Sequence, residues 1–187
     1  MLRYAPAALL ALTLLGGCAG ALQTMTNEYP QTVNTARGNL QDAAAQGPVL
    51  LEVRDSPFSD DDVARILADA ASATSIGFQV RFTSDRARAA KPERRIVVQF
   101  SPAAGISSAA VCDASRPVPR SESATRLTAL VTFCDHARPI LSMAAWGARP
   151  DRADAPVIRS LAEQAMLRMF IGSGANHEGF GEFWPDF

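Results

Sequence analysis

The most reactive side chains of the sequence are adjacent to one another, at Cys134, Asp135 and His136. A thiolate beside an imidazole is the arrangement that activates a cysteine nucleophile. Catalytic partners usually come from different elements of a fold, however, and neighbours along a strand point to opposite faces of the sheet. We therefore assign no nucleophile and base to these three residues, and we predict no catalytic residue elsewhere in the chain.

The other short motifs lack parts that their chemistry requires. Ser173 lies between two glycines, and Ser107-Ser108 follows Gly105-Ile106, but neither forms the Gly-x-Ser-x-Gly elbow of a hydrolase. His177-Glu178 lacks the second histidine of a zinc-protease helix, and no glycine-rich phosphate loop follows a predicted strand. The run Asp60-Asp61-Asp62 lacks the alternating ligands and the turn glycine of a calcium loop. These patterns predict neither a metal nor a cofactor.

Positive charge is concentrated between positions 81 and 95. This segment contains six basic residues and only two acidic ones. The basic residues are Arg81, Arg86, Arg88, Lys91, Arg94 and Arg95. We predict an exposed basic turn that would suit anionic lipid headgroups, lipopolysaccharide phosphates or an acidic partner, with a solvated loop as the alternative. The whole chain has a formal net charge of −1, which gives no electrostatic case for nucleic-acid binding.

The first seventeen residues have the features of an export signal. Arg3 precedes an apolar stretch from Ala5 to Leu15 that is interrupted only by Pro6 and Thr13. A short positive region before about 7–15 apolar residues is typical of a secretory signal peptide. The stretch is too short to span a bilayer, which needs about 20 residues. We predict that residues 1–17 are a signal peptide with no part in the fold.

The four residues Leu15-Gly16-Gly17-Cys18 resemble the lipobox of bacterial lipoproteins. In that family the cysteine receives a diacylglycerol, the chain is cut before it, and the new amino group is acylated. The resemblance therefore implies an anchor of three acyl chains, palmitate among them, on Cys18, and such an anchor holds a protein stably at a membrane. The alternative is an ordinary signal peptide cut after Ala19-Gly20-Ala21, which would release a soluble periplasmic protein.

The residue after the lipobox cysteine bears on the destination of such a lipoprotein. Position 19 is Ala and not Asp. In this class of lipoproteins that choice implies export to the outer membrane of a Gram-negative cell, with the domain facing the periplasm. An inner-membrane lipoprotein is the alternative location.

The cysteine count fits the same compartment. The chain has three cysteines, so lipidation of Cys18 leaves Cys112 and Cys134 as a pair. Disulfides persist in exported proteins, and a metal site would need further Cys or His ligands at short spacing. We predict a disulfide between Cys112 and Cys134. It would also tie down the long connection over residues 101–124, because a loop of that length needs a function or a restraint.

The remaining chain divides into a tether, one domain and a tail. Residues 18–47 show no sustained hydrophobic period and few large apolar residues, so we predict the lipidated cysteine and a flexible tether, with at most a short helix near Gln41–Gln46. Residues 48–172 have the length of one domain. Residues 173–187 form a glycine-rich, aromatic tail.

Hydrophobic periodicity within residues 48–172 predicts the element order β-α-β-β-β-β-α. Ser59 predicts the N-cap of the first helix, Asp154 caps the last one, and Gly172 ends it. The predicted fold class is α+β, with a mostly antiparallel sheet of about five strands and two helices packed on one face. The predicted strands cover residues 49–54, 78–83, 96–100, 125–134 and 139–146.

The tail contains four large apolar rings, at Phe180, Phe183, Trp184 and Phe187. Exposed chain does not normally carry rings that each bury about 150–250 Å². We expect the tail either to fold back onto the domain or to dock into a partner. Folding back is favoured because the sheet face away from the helices needs cover, and we assign to that face Leu50, Val97, Leu130, Leu141 and Met143.

These features predict a non-enzymatic, membrane-anchored lipoprotein whose periplasmic domain binds an envelope protein or supports envelope assembly. A binding module that holds a lipid or other amphipathic ligand between sheet and helices is the second hypothesis. An envelope hydrolase is the third, and it has the least support because no nucleophile and base can be named. The sequence indicates no oligomeric state.

Overall fold

The computed structural model describes residues 22–26 and 30–172. Within those residues one six-stranded sheet has the strand order β1-β6-β5-β4-β2-β3. In chain order the elements are β1 Gln23–Thr26, α1 Pro30–Gln46, β2 Val49–Arg54, α2 Asp60–Ala73, β3 Phe82–Thr83, β4 Arg94–Phe100, α3 Ser108–Cys112, β5 Arg126–Asp135, β6 Arg138–Ala148 and α4 Pro156–Phe170. The predicted α+β class and the mostly antiparallel sheet are confirmed. The described residues add one strand and two helices to the predicted order.

The sheet combines an antiparallel half with a parallel half. Antiparallel pairs join β1 to β6, β6 to β5 and β5 to β4, whereas β2 is parallel to both β3 and β4. The predicted hairpin is confirmed as β5 and β6, which turn at His136-Ala137. Because β2 and β4 are parallel, the chain leaves both strands at the same end of the sheet.

Three helices cover one face of the sheet and enclose the main core with it. Ser59 caps α2 as predicted, since its hydroxyl accepts a hydrogen bond from the Asp62 N–H at 3.4 Å. The predicted cap of the last helix is wrong, because Ala155 occupies that position, without a side-chain hydrogen bond, and Asp154 pairs instead with Arg152. Gly172, with φ of +85°, follows the end of α4 as predicted. None of the described helices is long and apolar enough to span a membrane.

The prediction of a flexible tether over residues 18–47 is wrong for its described part. Residues 23–26 pair with β6 as a sheet strand, and residues 30–46 form the seventeen-residue helix α1. This helix buries Val33, Ala36, Leu40 and Ala43 in the main core. Two of these four buried residues are alanines, which is why the sequence shows no strong apolar period. The domain therefore begins well before Pro48.

The second predicted strand is also mostly wrong. Only Phe82 and Thr83 of residues 78–83 pair in the sheet, as the two-residue strand β3. Phe78 instead packs below the Arg37 guanidinium of α1, which lies 5.3 Å from the centre of its ring. Val80 is buried in the main core without strand pairing. Phe78 thus contacts α1, which was not predicted, instead of a neighbouring strand.

The opposite face of the sheet is covered by the short helix α3. Val111 and Cys112 of α3 form a second apolar cluster with Val97 and Cys134 of the sheet, and Leu130 packs against it. Leu141 and Met143, which we assigned to this face, belong to the main core on the other side. The assignment of five apolar residues to a face that needs cover from the tail is therefore wrong for Leu141 and Met143. The tail rings at Phe180, Phe183, Trp184 and Phe187 lie outside the described residues, as do residues 1–17 and Cys18.

Candidate functional site

The connection from β4 to β5 is a long loop that contains α3 and lies over the sheet face opposite the main core. The Ser101 N–H donates to Thr128 O and the Ser121 N–H donates to Ser101 O, both at 2.9 Å. The Ala103 N–H donates to Pro119 O, also at 2.9 Å, one step further along. These bonds bring the two ends of the loop together, and residues 101–121 are called the crossover segment below.

A disulfide attaches the crossover segment to β5. Cys112, at the end of α3, is bonded to Cys134, and their Cα atoms are 5.6 Å apart. The predicted pairing is confirmed. Cys134 consequently has no free thiol, and the imidazole of His136 is 77% exposed and contacts only the neighbouring Asp135 at 2.9 Å among the described residues. The structure does not bring Cys134 and His136 together as a catalytic pair.

Two arginines hold the carboxyl end of α3. Arg54 Nη1 donates to Val111 O at 2.9 Å, and Arg95 Nη2 donates to Cys112 O at 2.8 Å. The last carbonyl groups of a helix have no partner within the helix, so these bonds satisfy acceptors that would otherwise be left unpaired. Arg95 also donates to the carbonyl oxygens of Glu93 and His136. One side chain thus connects α3, the start of β4 and the β5–β6 turn.

Glu52 balances the charge of both arginines. Its Oε1 accepts from Arg54 Nε at 2.7 Å, and its Oε2 lies 3.1 Å from Arg95 Nε. Arg95 is only 5% exposed, and burial lowers its pKa while the carboxylate of Glu52 opposes that shift. A buried charge is tolerated when it is paired and hydrogen-bonded, as this one is. The three side chains form an ion triad beneath the crossover segment.

A second cluster of polar side chains, Asp55, Gln99 and Arg120, lies where the two ends of the crossover segment meet the sheet. Asp55 Oδ2 accepts from Gln99 Nε2 at 2.8 Å, and its Oδ1 lies 3.4 Å from Arg120 Nη1. Asp55 and Ser101 directly follow the parallel strands β2 and β4, and both have positive φ, at 56° and 47°. Non-glycine residues rarely adopt this conformation and persist in it only where surrounding contacts impose it. This cluster provides such contacts at Asp55.

The amino end of α3 has its own attachment to β6. Ser108 Oγ donates to Ser142 Oγ at 2.8 Å. Together with the disulfide and the two arginines, this bond ties α3 to β2, β4, β5 and β6. The crossover segment is therefore held at several independent points on neighbouring strands.

The outer side of the crossover segment presents exposed residues on an ordered turn. Asp113 Oδ1 accepts from the Ser115 N–H at 2.9 Å and from Ser115 Oγ at 2.7 Å, and these bonds lower the pKa of Asp113. Arg116, Pro117 and Pro119 follow and are exposed. Arg116 forms no ion pair with a described residue. The outer surface thus offers a cation and two prolines to a partner.

The predicted basic turn is only partly available for binding. Arg95 is buried in the ion triad, and Lys91 and Arg94 both pair with Asp42 of α1. Hydrogen bonds from Lys91 and then Arg94 lower the pKa of Asp42. The prediction that all six basic residues are exposed is therefore wrong, because Arg95 is buried and because Asp42, predicted to lie in a flexible tether, is held on α1 beside Lys91 and Arg94. Arg81, Arg86 and Arg88 remain exposed.

Two cavities of the described residues bear on ligand binding. The void between the sheet and helices α2 and α4 has a volume of about 10 Å³, which is barely enough for one water. A groove of about 440 Å³ runs between α1 and the β5–β6 turn, and its walls include Thr32, Asn39, Asp135 and Arg138. Within the described residues no three His, Cys, Asp or Glu side chains are grouped so that they could hold a metal ion.

Sequence reasoning identified the cysteines of this site and missed most of its polar residues. Glu52 and Arg54 alternate with the buried residues Leu51 and Val53, so alternation places both on the face opposite the main core. The same alternation places Arg95 and Gln99 on that face of β4. That signal was present in the sequence, but the helix that would cover the face was not predicted.

No protein-family model matches the chain, and no curated protein matches it. Among solved structures the chain is similar to a dodecamer of a PelC variant from Paraburkholderia phytofirmans, with 14% identity, 82% of this chain and 97% of that chain covered, and a TM-score of 0.31. A similarity of this size supports no conclusion about this chain.

Proposed function

We propose that the chain is a membrane-anchored bacterial lipoprotein whose periplasmic domain binds an envelope protein, or supports envelope assembly, without catalysing a reaction. The disulfide between Cys112 and Cys134 supports export, because such bonds persist in oxidising compartments. Of the three cysteines it leaves Cys18, in the lipobox-like sequence, for acylation. Ala19 after that cysteine supports the outer membrane as the location.

The observation that carries the binding role is the attachment of the crossover segment. Binding residues are commonly found on loops that a rigid scaffold positions. Here a disulfide, the buried Arg95, the partly buried Arg54 and a serine pair hold one short helix to four strands. A surface that is already ordered loses less conformational entropy when a partner binds. We therefore assign the partner contact to the exposed side of the crossover segment.

Arg116 is the residue on which this contact is expected to depend most. Arginine is enriched among the residues that contribute most to protein interfaces, and Arg116 is exposed with no ion pair to a described residue. Pro117 and Pro119 have fixed φ and add little entropy cost on binding. An acidic or carbonyl-rich patch on the partner would match this surface.

The structure gives less support to the two other hypotheses. A lipid held between sheet and helices would need a cavity, and the void there measures about 10 Å³. An envelope hydrolase would need a nucleophile, and Cys134 is bonded to Cys112. The ligand-binding hypothesis would require α2 and α4 to move apart, which their packing on the sheet opposes.

Site-specific photo-crosslinking in the lipidated, full-length protein tests the proposal. A crosslinking amino acid at position 116 should capture one envelope protein, identified by mass spectrometry, and the same amino acid at Arg159 on the exposed side of α4 should not. Arg116→Glu should reduce recovery of that protein about tenfold, equivalent to about 1.4 kcal/mol, whereas Arg159→Glu should leave it unchanged. Equal capture at both positions, or recovery that is insensitive to Arg116→Glu, would contradict the assignment.

A further inference from the structure

The first strand begins very close to the proposed anchor. Gln23, the first residue of β1, follows Cys18 by five positions. Five residues of fully extended chain span at most about 18 Å. This step rests on the proposed lipidation of Cys18, which places that residue at the membrane surface. Gln23 must then lie within about 18 Å of the headgroup layer.

The residues around Gln23 form one corner of the sheet. Gln23 is paired with Trp146 of β6, and Trp146 is paired with Thr128 of β5. Trp146 Nε1 donates to Gln23 Oε1 at 2.6 Å. Arg126 begins β5, and Arg149 follows β6 with its N–H bonded to Thr125 O. We call Gln23, Trp146, Arg126 and Arg149 the Trp146 corner.

The chemistry of this corner suits a phospholipid surface. Trp146 is half-buried, and both arginines are exposed. Tryptophan is enriched where an apolar region meets water, as at membrane interfaces, and the guanidinium group of arginine matches the geometry of phosphate.

Two of the acidic residues near the Trp146 corner are paired with arginines. Glu122 pairs with Arg120, and Asp154 pairs with Arg152. Asp151 is exposed and forms no ion pair with a described residue. Glu163 of α4, next to the Gln164 that accepts a hydrogen bond from Thr24 of β1, is exposed and also forms no ion pair with a described residue. Arg126 and Arg149 themselves form no ion pair with a described carboxylate, so neither guanidinium is neutralised there.

The exposed part of the basic turn lies at the diagonally opposite corner. β1 and β3 are the two edge strands of the sheet, five strand spacings apart, which corresponds to about 24 Å. Gln23 pairs with Trp146, Trp146 pairs with Thr128, and Thr128 accepts a hydrogen bond from Ser101. Gln23 therefore lies at the end of the sheet where β4 ends. Arg81 precedes β3, whose Phe82 pairs with Val49 at the start of β2, the other end of the sheet.

We infer that the Trp146 corner rests on the phospholipid headgroups of the membrane that holds the Cys18 anchor. Arg81, Arg86 and Arg88 then face away from that membrane, so they do not bind its headgroups. The Trp146 corner contacts the lipid surface itself. This corner is favoured over the basic turn because only five positions separate Cys18 from Gln23.

Tryptophan quenching in the full lipidated protein tests this orientation. The chain has two tryptophans, so Trp184→Phe leaves Trp146 as the sole reporter. The protein is reconstituted into vesicles of phosphatidylethanolamine and phosphatidylglycerol, with and without a headgroup-labelled nitroxide lipid. Trp146 should lose most of its emission in the labelled vesicles. Ala87→Trp, added to the Trp184→Phe chain so that Trp146 stays in place, gives a matched reporter in the basic turn whose emission should remain as an unquenched component.

A charge-reversal pair separates lipid contact from simple proximity to the anchor. Arg126→Glu with Arg149→Glu should relieve the quenching of Trp146, whereas Arg65→Glu with Arg159→Glu on the exposed sides of α2 and α4 should not. Unchanged circular dichroism and an intact disulfide show that each variant is folded.

The outcomes distinguish this inference from the proposed function. An acylated protein that floats with the vesicles but shows no quenching of Trp146, or stronger quenching of the reporter at position 87, overturns the orientation alone. Quenching that both charge-reversal pairs leave unchanged also overturns the headgroup contact. A protein without acyl chains on Cys18 overturns the proposed anchor and the orientation together.

Discussion

The guanidinium of Arg95 donates a hydrogen bond of 2.8 Å to the carbonyl oxygen of Cys112. In the pairing of β4 with β5, Arg95 lies opposite Cys134, the residue whose sulfur is bonded to that of Cys112. A buried cation and a covalent bond therefore hold the same end of α3 to two neighbouring strands. The crossover segment depends on these links because only a small apolar cluster lies beneath it.

Replacement of Arg95 should destabilise the fold. Arg95→Leu removes hydrogen bonds to three carbonyl oxygens and leaves Glu52 with Arg54 as its remaining cation. We expect a loss of about 3 kcal/mol in the free energy of unfolding, measured by urea denaturation of the chain from residue 19. Arg65→Leu, which removes an exposed ion pair on α2, should change it by about 0.5 kcal/mol or less. Equal effects of the two substitutions would contradict the role given to Arg95.

Loss of the disulfide should weaken the same region. Cys112→Ser with Cys134→Ser opens a loop of 22 positions, and the unfolded chain then gains entropy equivalent to about 3 kcal/mol. The urea midpoint of the double variant should match that of the original protein under reducing conditions. Amide hydrogen exchange should accelerate first in α3. A variant as stable as the oxidised protein would show that the bond does not restrain the crossover segment.

Residues 30–46 should behave as part of the domain. Leu40 is fully buried in the main core, and Leu40→Ala should cost about 2–5 kcal/mol because it leaves a cavity. Asn34→Ala, at an exposed position of the same helix, should change the free energy of unfolding by about 0.5 kcal/mol or less. If Leu40→Ala is as mild as its control, this segment is a tether after all.

The link between α1 and the basic turn should depend on pH. Hydrogen bonds from Lys91 and Arg94 lower the pKa of Asp42 in the folded chain. A lowered pKa stabilises the fold while the carboxylate is ionised, and this contribution disappears as the pH falls through the folded-state pKa. Asp42→Asn should therefore lower the Tm at neutral pH, and the difference from the original chain should vanish in strong acid. A difference that stays constant across this range would contradict the ion pairing.

Local sequence signals predicted those elements whose signals are strong. Ser59 and the aspartates after it identified α2, and alternation of Leu127, Ala129, Val131 and Phe133 identified β5. Helix α1 was missed because its buried face combines Val33 and Leu40 with small alanines, which give no strong apolar period. The helix packs on α4 and β6, and a sequence pattern does not reveal such contacts. Strand β3 was overestimated because the residues before Phe82 pack against Arg37 and the core.

Of the candidate site, only the disulfide could be predicted from the sequence. Parity of the cysteines identified Cys112 and Cys134 without any knowledge of the fold. Arg54 and Arg95 could be placed on one face of the sheet by alternation, but their partners are carbonyl oxygens of α3. Every residue has a backbone carbonyl group, so the residue type does not show which of them accepts a hydrogen bond. These contacts could therefore be identified only from the structure.

The intact mass of the mature protein, extracted from outer-membrane fractions, tests the central claim most directly. We expect a chain that begins at Cys18, carries three acyl chains on that residue, and keeps Cys112 and Cys134 oxidised. Cys18→Ala should abolish the acylated species and release the protein from the membrane. A mature chain that begins after Ala21, or a full-length chain with an unmodified Cys18 thiol, would contradict the account.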